Sequence, residues 1–307
     1  MDNAVETQLG IGNAKILKRG ILDSDEGKLF LKFGNNDLVI GELESLRAIY
    51  ATDTVKCPKP FGVVEYNGTH ALVTSYIDFQ HGKDWAEAGK QLARMHAKNH
   101  ENLKHRERRS RLLSFNSEVS EDSECPDSLE SGTEKYGFHV ATCCGRLPQE
   151  NEWTDSWTQF FICHRLKPQI DLLIEKHNDR DLSELSEILY RKTEELLKSR
   201  ENTVSSLVHG DLWGGNWSMV CTDSGGVQPI VFDPSSSYSD PEFEFGIMKM
   251  FGGWTKEFEQ EYDKIIGKCK GRDERVALYE LYHNLNHWNH FGGSYRTSSL
   301  NLIRTII

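Results

Sequence analysis

No stretch of 18 or more apolar residues occurs in this chain, so no helix in it is expected to span a bilayer. The N-terminal MDNAVETQLG lacks a basic region followed by an apolar run, which argues against a secretory leader. Cysteine is sparse and odd in number: there are seven, and only Cys143 and Cys144 are close, a spacing that rarely makes a structural bridge. A reduced, cytoplasmic setting is the expectation. Positive charge is also short, with 36 Lys and Arg against 47 Asp and Glu and a net charge of -11, whereas a nucleic-acid binder carries a basic footprint. Neither nucleic acid nor membrane is therefore expected as a partner. The signs of global disorder are missing too, since 37% of residues are hydrophobic. No internal repeat is present.

What the chain does contain falls into two parts. Residues 14–22 and 28–33 read as strands joined by the turn formers Asp23 to Gly27. Leu38, Leu43, Leu46 and Ile49 recur near helical spacing and predict a helix over 38–51. Strand-like runs return at 61–66 and 71–77 after Pro58 and Pro60. Beyond residue 77 the pattern turns helical, around 85–96, 182–200, 255–267 and 275–290. The spacing thus predicts an α+β chain with a small strand-rich N-terminal lobe (1–77, hinge near 75–79) and a larger, mainly helical C-terminal lobe (78–307). Residues 101–111 are basic and 114–134 are rich in Ser and Glu, which predicts a mobile loop near 101–135.

The chemistry concentrates in LVHGDLWGGN at 207–216. Asn216 follows Asp211 by five residues, and Asp233 comes seventeen residues later at the end of the apolar run Ile230-Val231-Phe232. That order is the catalytic-loop pattern of kinase-like phosphotransferases. A transferred phosphoryl group needs positioning and charge neutralisation more than covalent help. Asp211 suits the base that accepts the acceptor hydroxyl's proton, and Asn216 and Asp233 offer hard oxygens that suit Mg²⁺. Gly214 and Gly215 would let the loop turn tightly. Lys32, in the apolar strand FLKF, is the candidate for the ATP phosphates, with Lys28 as competitor; Glu42 is its expected ion-pair partner, with Glu44 as competitor. Gly10 and Gly12 are the candidate phosphate-covering loop, and the adenine is expected beside Ser75, Tyr76 and Ile77.

Other features admit two readings each. His283, His287 and His290 stand at helical spacings of four and three and fit either a metal face or a packed helix. Cys143 and Cys144 fit a redox pair or buried thiols, and Trp153 and Trp157 a pocket lining or plain core. The basic run Lys104 to Arg111 fits a localisation or nucleic-acid patch, or a solvated helix end.

At HGDLWGGN the chain resembles the fructosamine-kinase family, also called ketosamine 3-kinases. The blocks FHVATCCG (138–145), NEWTDSW (151–157), FDPSSSY (232–238), EFEFGIMKMFGGW (242–254) and LNHWNHFG (285–292) extend the resemblance over about residues 28–302. It implies a protein-kinase-like fold, ATP and Mg²⁺ as cofactors, and phosphoryl transfer to the 3-hydroxyl of a ketosamine on a glycated protein or small amine. The unstable product would then complete deglycation. By the same resemblance Asp211 is the base, Asn216 and Asp233 hold metal, Lys32 pairs with Glu42, Trp213 shapes the sugar pocket, and Glu244 braces the catalytic loop. The chain departs from the family ahead of Lys32, where it is shorter, has no cysteine in the loop, and leaves a first strand expected over 4–9. It also departs at 101–135, which matches no family block. A monomer or weak homodimer is expected. The competing functions are a nucleotide-binding pseudokinase and a kinase for another small amino-alcohol.

Overall fold

The computed structural model describes residues 1–115, 132–222 and 224–307. The chain opens with a helix, α1 (Asp2–Leu9), followed by strands β1 (Lys15–Lys18), β2 (Ile21–Asp23) and β3 (Leu29–Gly34). Helix α2 (Asn36–Thr52) and strands β4 (Pro60–Tyr66) and β5 (Thr69–Ser75) complete the first part. The five strands form one antiparallel sheet in the order β1-β2-β3-β5-β4. Strand alternation sorts β3 by face. Leu29 and Leu31 point into a small core with Val5 of α1, Leu22, Val64 and Val73, whereas Phe30 and Lys32 point to the opposite side. Asn35 caps α2 by accepting a hydrogen bond from the Leu38 N–H at 2.9 Å, and Val39, Leu43, Leu46 and Ile49 form its buried face.

The second part begins with the long α3 (Trp85–Phe115), the short hairpin β6 (Thr142–Cys144) and β7 (Leu147–Gln149), and α4 (Trp157–Phe161). A single π-helical turn, Ile162–Leu166, joins α4 to α5 (Lys167–His177), with the Lys167 N–H reaching back to the Ile162 carbonyl. This wide turn carries Arg165, which is buried and donates to Asn151 Oδ1 at 2.7 Å and Ser237 Oγ at 3.2 Å. Then follow α6 (Arg180–Leu197), β8 (Ser206–Val208), β9 (Trp217–Cys221), β10 (Val227–Val231) and β11 (Ser237–Ser239). A 3-10 turn (Pro241–Glu244), α7 (Phe245–Phe251), α8 (Lys256–Asp263), α9 (Arg272–Phe291) and α10 (Ser294–Ile306) close the chain. The later strands pair only two by two: β8 with β11, β9 with β10, β6 with β7. The architecture is thus α+β and bilobal. No helix among the described residues is long and apolar enough to cross a membrane.

One hydrophobic cluster joins the two parts. Val39, Leu43 and Leu46 of α2 pack with Leu92, Leu207 and Val231, so α2 belongs to the sheet and to the helical lobe at once. A second cluster, centred on Trp157, Phe161, Phe243, Leu281 and Leu285, lies wholly within the helical lobe.

Three expectations are corrected here. Residues 4–9 are not a strand but part of α1, which ends on Gly10 in the left-handed conformation (φ 68°). The single strand expected over 14–22 is two, broken at Arg19–Gly20. Residues 101–111 are not loop: strong helix formers continue α3 through them, Leu103 is buried, and Arg106 ties the helix to the returning chain through Glu134 at 3.0 Å. The basic run is therefore a helix end. The rest of the expected loop, 116–131, lies outside the described residues.

Trp157 is fully buried and donates its indole N–H to Tyr279 Oη at 2.9 Å, whereas Trp153 is 37% exposed. Trp157→Ala is therefore expected to cost about 3–5 kcal/mol and Trp153→Ala less than about 1 kcal/mol in urea denaturation. Equal costs would show that the core is not centred where the packing places it.

Candidate active site

Strand β8 is entirely buried and pairs with β11, which delivers the chain to His209-Gly210-Asp211 at a fixed height in the cleft. The turn is anchored from below. Glu244 is buried, and its two oxygens accept the His209 N–H at 2.6 Å and the Gly210 N–H at 2.9 Å. This is the bracing role that the family resemblance implied for it. The charged carboxylate makes both bonds stronger than neutral ones. Gly210 has φ 84°, and a Cβ there would fall 2.0 Å from the Ser235 carbonyl oxygen, so only glycine fits. His209 donates through Nε2 to the Phe232 carbonyl at 3.0 Å, which leaves Nδ1 to accept the Asp211 N–H at 3.3 Å. Burial lowers the pKa of this ring and keeps it neutral.

Asp211 emerges from this scaffold with its carboxyl pushed up to about 7, by burial first, then by Asp233 and Glu244, with Lys32 opposing. Asn216 turns back on it, donating from Nδ2 to the Asp211 carbonyl at 2.8 Å and lying 3.5 Å from Oδ2. That leaves the Asn216 amide oxygen available as a ligand. The reason for Gly215 differs from the one expected. Trp213 folds its ring over that residue, and a Cβ on Gly215 would lie 2.2 Å from the indole. Lys83, which the sequence did not single out, donates to the Gly214 carbonyl at 3.0 Å and to the Trp217 carbonyl, and so fixes the far side of the loop.

Across the cleft, Lys32 Nζ lies 2.8 Å from Glu42 and 2.9 Å from Asp233. Burial works against the lysine charge, but the two carboxylates outweigh it and hold its pKa above the ordinary value. Burial pushes Glu42 up to about 7, with Lys32 pulling it back. Of the competitors, Glu44 pairs with Arg47 at 2.7 Å and His139 at 3.0 Å, and Lys28 is not among the residues that line the cavity beside Lys32. Asp233 adopts a left-handed backbone (φ 58°), a conformation that Asp tolerates better than most residues and that clusters at functional sites.

Lys32, Glu42, Ser75, Tyr76, Ile77 and Asp233 line one cavity of about 410 Å³, walled on its apolar side by Phe30, Leu72, Phe79 and Phe232. Gly10 and Gly12 do not line it: Gly10 ends α1, and Gly12 faces Asp25. Instead the Gly20 carbonyl accepts the Leu31 N–H at 2.8 Å, which sets the β1–β2 turn beside the strand that carries Lys32. A second cavity of about 320 Å³ lies against Asp211 and Trp213 and is lined by Phe251, His287, His290 and Tyr295. Two of the three spaced histidines thus face this pocket, while the His283 ring is buried with no hydrogen-bond partner among the described residues. Their only advance signal was the shared helix face. Cys143 and Cys144 are free thiols, the second fully buried with its pKa raised by burial.

A lysine–glutamate pair on a small sheet, opposed by an Asp, an Asn and a second Asp from a helical lobe, is the division of labour of kinase-like phosphotransferases. The comparisons agree. A solved aminoglycoside phosphotransferase complexed with ADP and hygromycin B shares this fold (TM-score 0.51, 14% identity, covering 100% of this chain and 97% of its own). Within that class the chain belongs to the fructosamine kinase family, whose profile matches residues 2–108 and 125–307. It is 40% identical over 290 residues to the ketosamine-3-kinase of Mus musculus, covering 92% of this chain and 89% of that one. A chloroplastic protein-ribulosamine 3-kinase of Oryza sativa subsp. indica is 29% identical over 300 residues, covering 95% and 76%. A solved candidate fructosamine-3-kinase from Haemophilus somnus superposes with a TM-score of 0.73 at 20% identity, covering 100% of this chain and 96% of its own.

Two outcomes follow from the geometry. An amide at position 244 can accept only one of the two backbone N–H groups, so Glu244→Gln is expected to lose about 1–3 kcal/mol of stability and most activity. Denaturation midpoints and turnover measured on the same preparation check this. The second concerns Asp211, which keeps its proton up to about pH 7 in the folded chain against an ordinary value of 3.8. The folded state therefore binds more protons than the unfolded one between those values, and stability falls as pH rises through them. Asp211→Asn removes that penalty: a gain on the order of 1 kcal/mol at pH 8, vanishing toward pH 4, is expected from urea titrations across that range.

Proposed function

We propose that this chain is an ATP-dependent ketosamine 3-kinase that transfers the γ-phosphoryl group of ATP to the 3-hydroxyl of a ketosamine. Sugar adducts on glycated proteins or on small amines are its substrates, and loss of the phosphorylated sugar completes deglycation. The observation that carries the reading is the position of Asp211, which lines the second cavity while the Lys32–Glu42–Asp233 cluster lines the first. A hydroxyl held in the second cavity meets a base whose pKa lies near neutrality, where general-base efficiency is high.

In this reading Ser75, Tyr76 and Ile77 hold the adenine. Their backbone is fixed by bonds from the Ser75 N–H to the Lys59 carbonyl and from the Tyr76 N–H to the Lys28 carbonyl, both 2.9 Å. Lys32, kept extended by Glu42, neutralises the α- and β-phosphates. The β1–β2 turn at Gly20 is the better placed phosphate cover, in place of Gly10 and Gly12. Asn216 and Asp233 fit Mg²⁺: both present oxygens, and among the described residues no group of three or more His, Cys, Asp and Glu converges to build a closed protein cage. Bound there with the nucleotide, Mg²⁺ would offset charge on the transferring phosphate. Asp211 takes the 3-hydroxyl proton as the new P–O bond forms, and ADP leaves with the electron pair of the broken bond. Trp213 borders the sugar. The complete set of Lys32, Glu42, Asp211, Asn216 and Asp233 disfavours a pseudokinase. A cytoplasmic location belongs to the same reading.

A Mg-ATP coupled assay with fructose-lysine and ribulose-lysine substrates tests it. Turnover is expected and should fall about 10²–10⁴-fold in Asp211→Asn. The wild-type kcat/KM should rise with pH and level off above about 7, because only the deprotonated carboxylate accepts the proton. Nucleotide binding without turnover of any ketosamine would overturn the reading.

A further inference from the structure

The cavity against Asp211 is unusual in its lining. Trp213, Phe251, His287, Phe291 and Tyr295 all border it, and among the described residues Asp211 is its sole carboxylate and neither lysine nor arginine lines it. The rings form a continuous wall. Trp213 and Phe251 lie 6.1 Å apart between centroids, Phe251 and His287 4.9 Å, His287 and Tyr295 5.2 Å, and His287 and Phe291 5.6 Å. Trp213 and Phe251 are each 39% exposed and Phe291 is 67% exposed, so much of the wall remains open to solvent. Rings left this open beside a reacting centre mark a surface kept for a ligand. The two histidines add no positive charge. His290 donates from Nδ1 to the Asn286 carbonyl at 2.8 Å and accepts the Arg146 N–H at Nε2 at 2.9 Å, a pattern only the neutral ring can satisfy. His287 donates from Nδ1 to the His283 carbonyl at 2.8 Å, which leaves Nε2 as a free acceptor.

Such a lining, rings with one carboxylate and no cationic side chain among the described residues, suits a cation better than an anion. We infer that the ring wall reads the protonated secondary amine of the substrate, through cation–π contact with Phe251, Phe291 and Trp213 and acceptance at His287 Nε2. This rests on the ketosamine reading above. In a ketosamine a single carbonyl carbon separates the carbon that bears nitrogen from the carbon that bears the 3-hydroxyl. A substrate that presents this hydroxyl to Asp211 therefore brings its ammonium into the same cavity. The wall then selects amine-borne sugars over free sugars and over sugars linked through a neutral atom, and the apolar stem of the carrier continues along Phe291 toward solvent.

The test compares two substrates on three proteins: wild type, Phe291→Leu and Phe251→Leu. One substrate is a fructose adduct of a basic alkylamine, and the other is the isostere with ether oxygen in place of nitrogen. Leucine keeps apolar area and removes the π face, and both positions are exposed enough for the fold to persist. For the amine, kcat/KM is expected to drop about 2- to 30-fold in each variant, mainly through KM. For the ether, wild type is expected to be poorer and the variants to match it within about twofold. Equal losses on both substrates, or no loss on either, would overturn the inference while turnover that depends on Asp211 kept the kinase reading intact. Failure of the wild type to phosphorylate either substrate would overturn both.

Discussion

The Lys32 ammonium is the point on which the two lobes are set relative to each other. It is held by Glu42 from the same lobe and by Asp233 from the other, at 2.8 and 2.9 Å. A lysine facing an interlobe cleft loses hydration, and it keeps its charge because two carboxylates replace the water. The backbone reinforces the same alignment. The Val231 N–H donates to the Lys56 carbonyl at 2.8 Å, and the Gln80 N–H to the Met219 carbonyl at 2.8 Å. The β9–β10 hairpin is thereby stitched both to the segment after α2 and to the hinge. Helix α2 carries Glu42 on one face and the shared hydrophobic cluster on another, so the polar contact and the apolar packing specify the same geometry.

Beneath the catalytic loop lies a second organising principle. Asp240, Glu242 and Glu244 follow one another at alternate positions and are all buried. Asp240 is met by Arg200 at 2.5 Å, Glu242 by Arg275 at 2.6 and 3.0 Å, and Glu244 by the two catalytic-loop N–H groups. Buried pairs of this kind add little net stability, since desolvation offsets attraction. Their effect here is positional. Three carboxylates whose partners are each supplied by a different segment leave the 3-10 turn at Pro241–Glu244 one place to sit, and Glu244 passes that placement to His209 and Gly210.

The convergence of Asp211, Asn216 and Asp233 in the candidate site was legible in the sequence because phosphoryl transfer would demand such side chains at fixed spacing along one segment. HGDLWGGN and the Asp233 strand end carry that demand in full. The pair of Lys32 and Glu42 was legible for the related reason that a lysine in an apolar strand needs a partner. The second cavity was not. Phe251, His287 and Tyr295 come from three helices whose convergence on Trp213 is a product of tertiary packing, and no local spacing announces it. The glycines ahead of Lys32 were misjudged for an opposite reason. Gly10 and Gly12 offered a familiar spacing, yet Gly10 serves as a helix stop, while Gly20 sat unnoticed inside what looked like a continuous strand. Val5, Thr7 and Leu9 alternate as a strand would, but an acidic first turn and the left-handed Gly10 suit a short helix.

The π-helical turn at Ile162–Leu166 bears on how this protein can vary. It amounts to one residue inserted into an otherwise regular helix, and it is what turns Arg165 inward to Asn151 and Ser237. Removing any one residue there would restore a regular turn and leave α5 in phase with α4, because the wide turn already takes up the extra residue. The buried guanidinium would no longer be turned to Asn151 and Ser237, while the face of α5 that packs on α9 would keep its place. The extra residue thus serves the placement of Arg165, and the packing of the helices on either side does not depend on it.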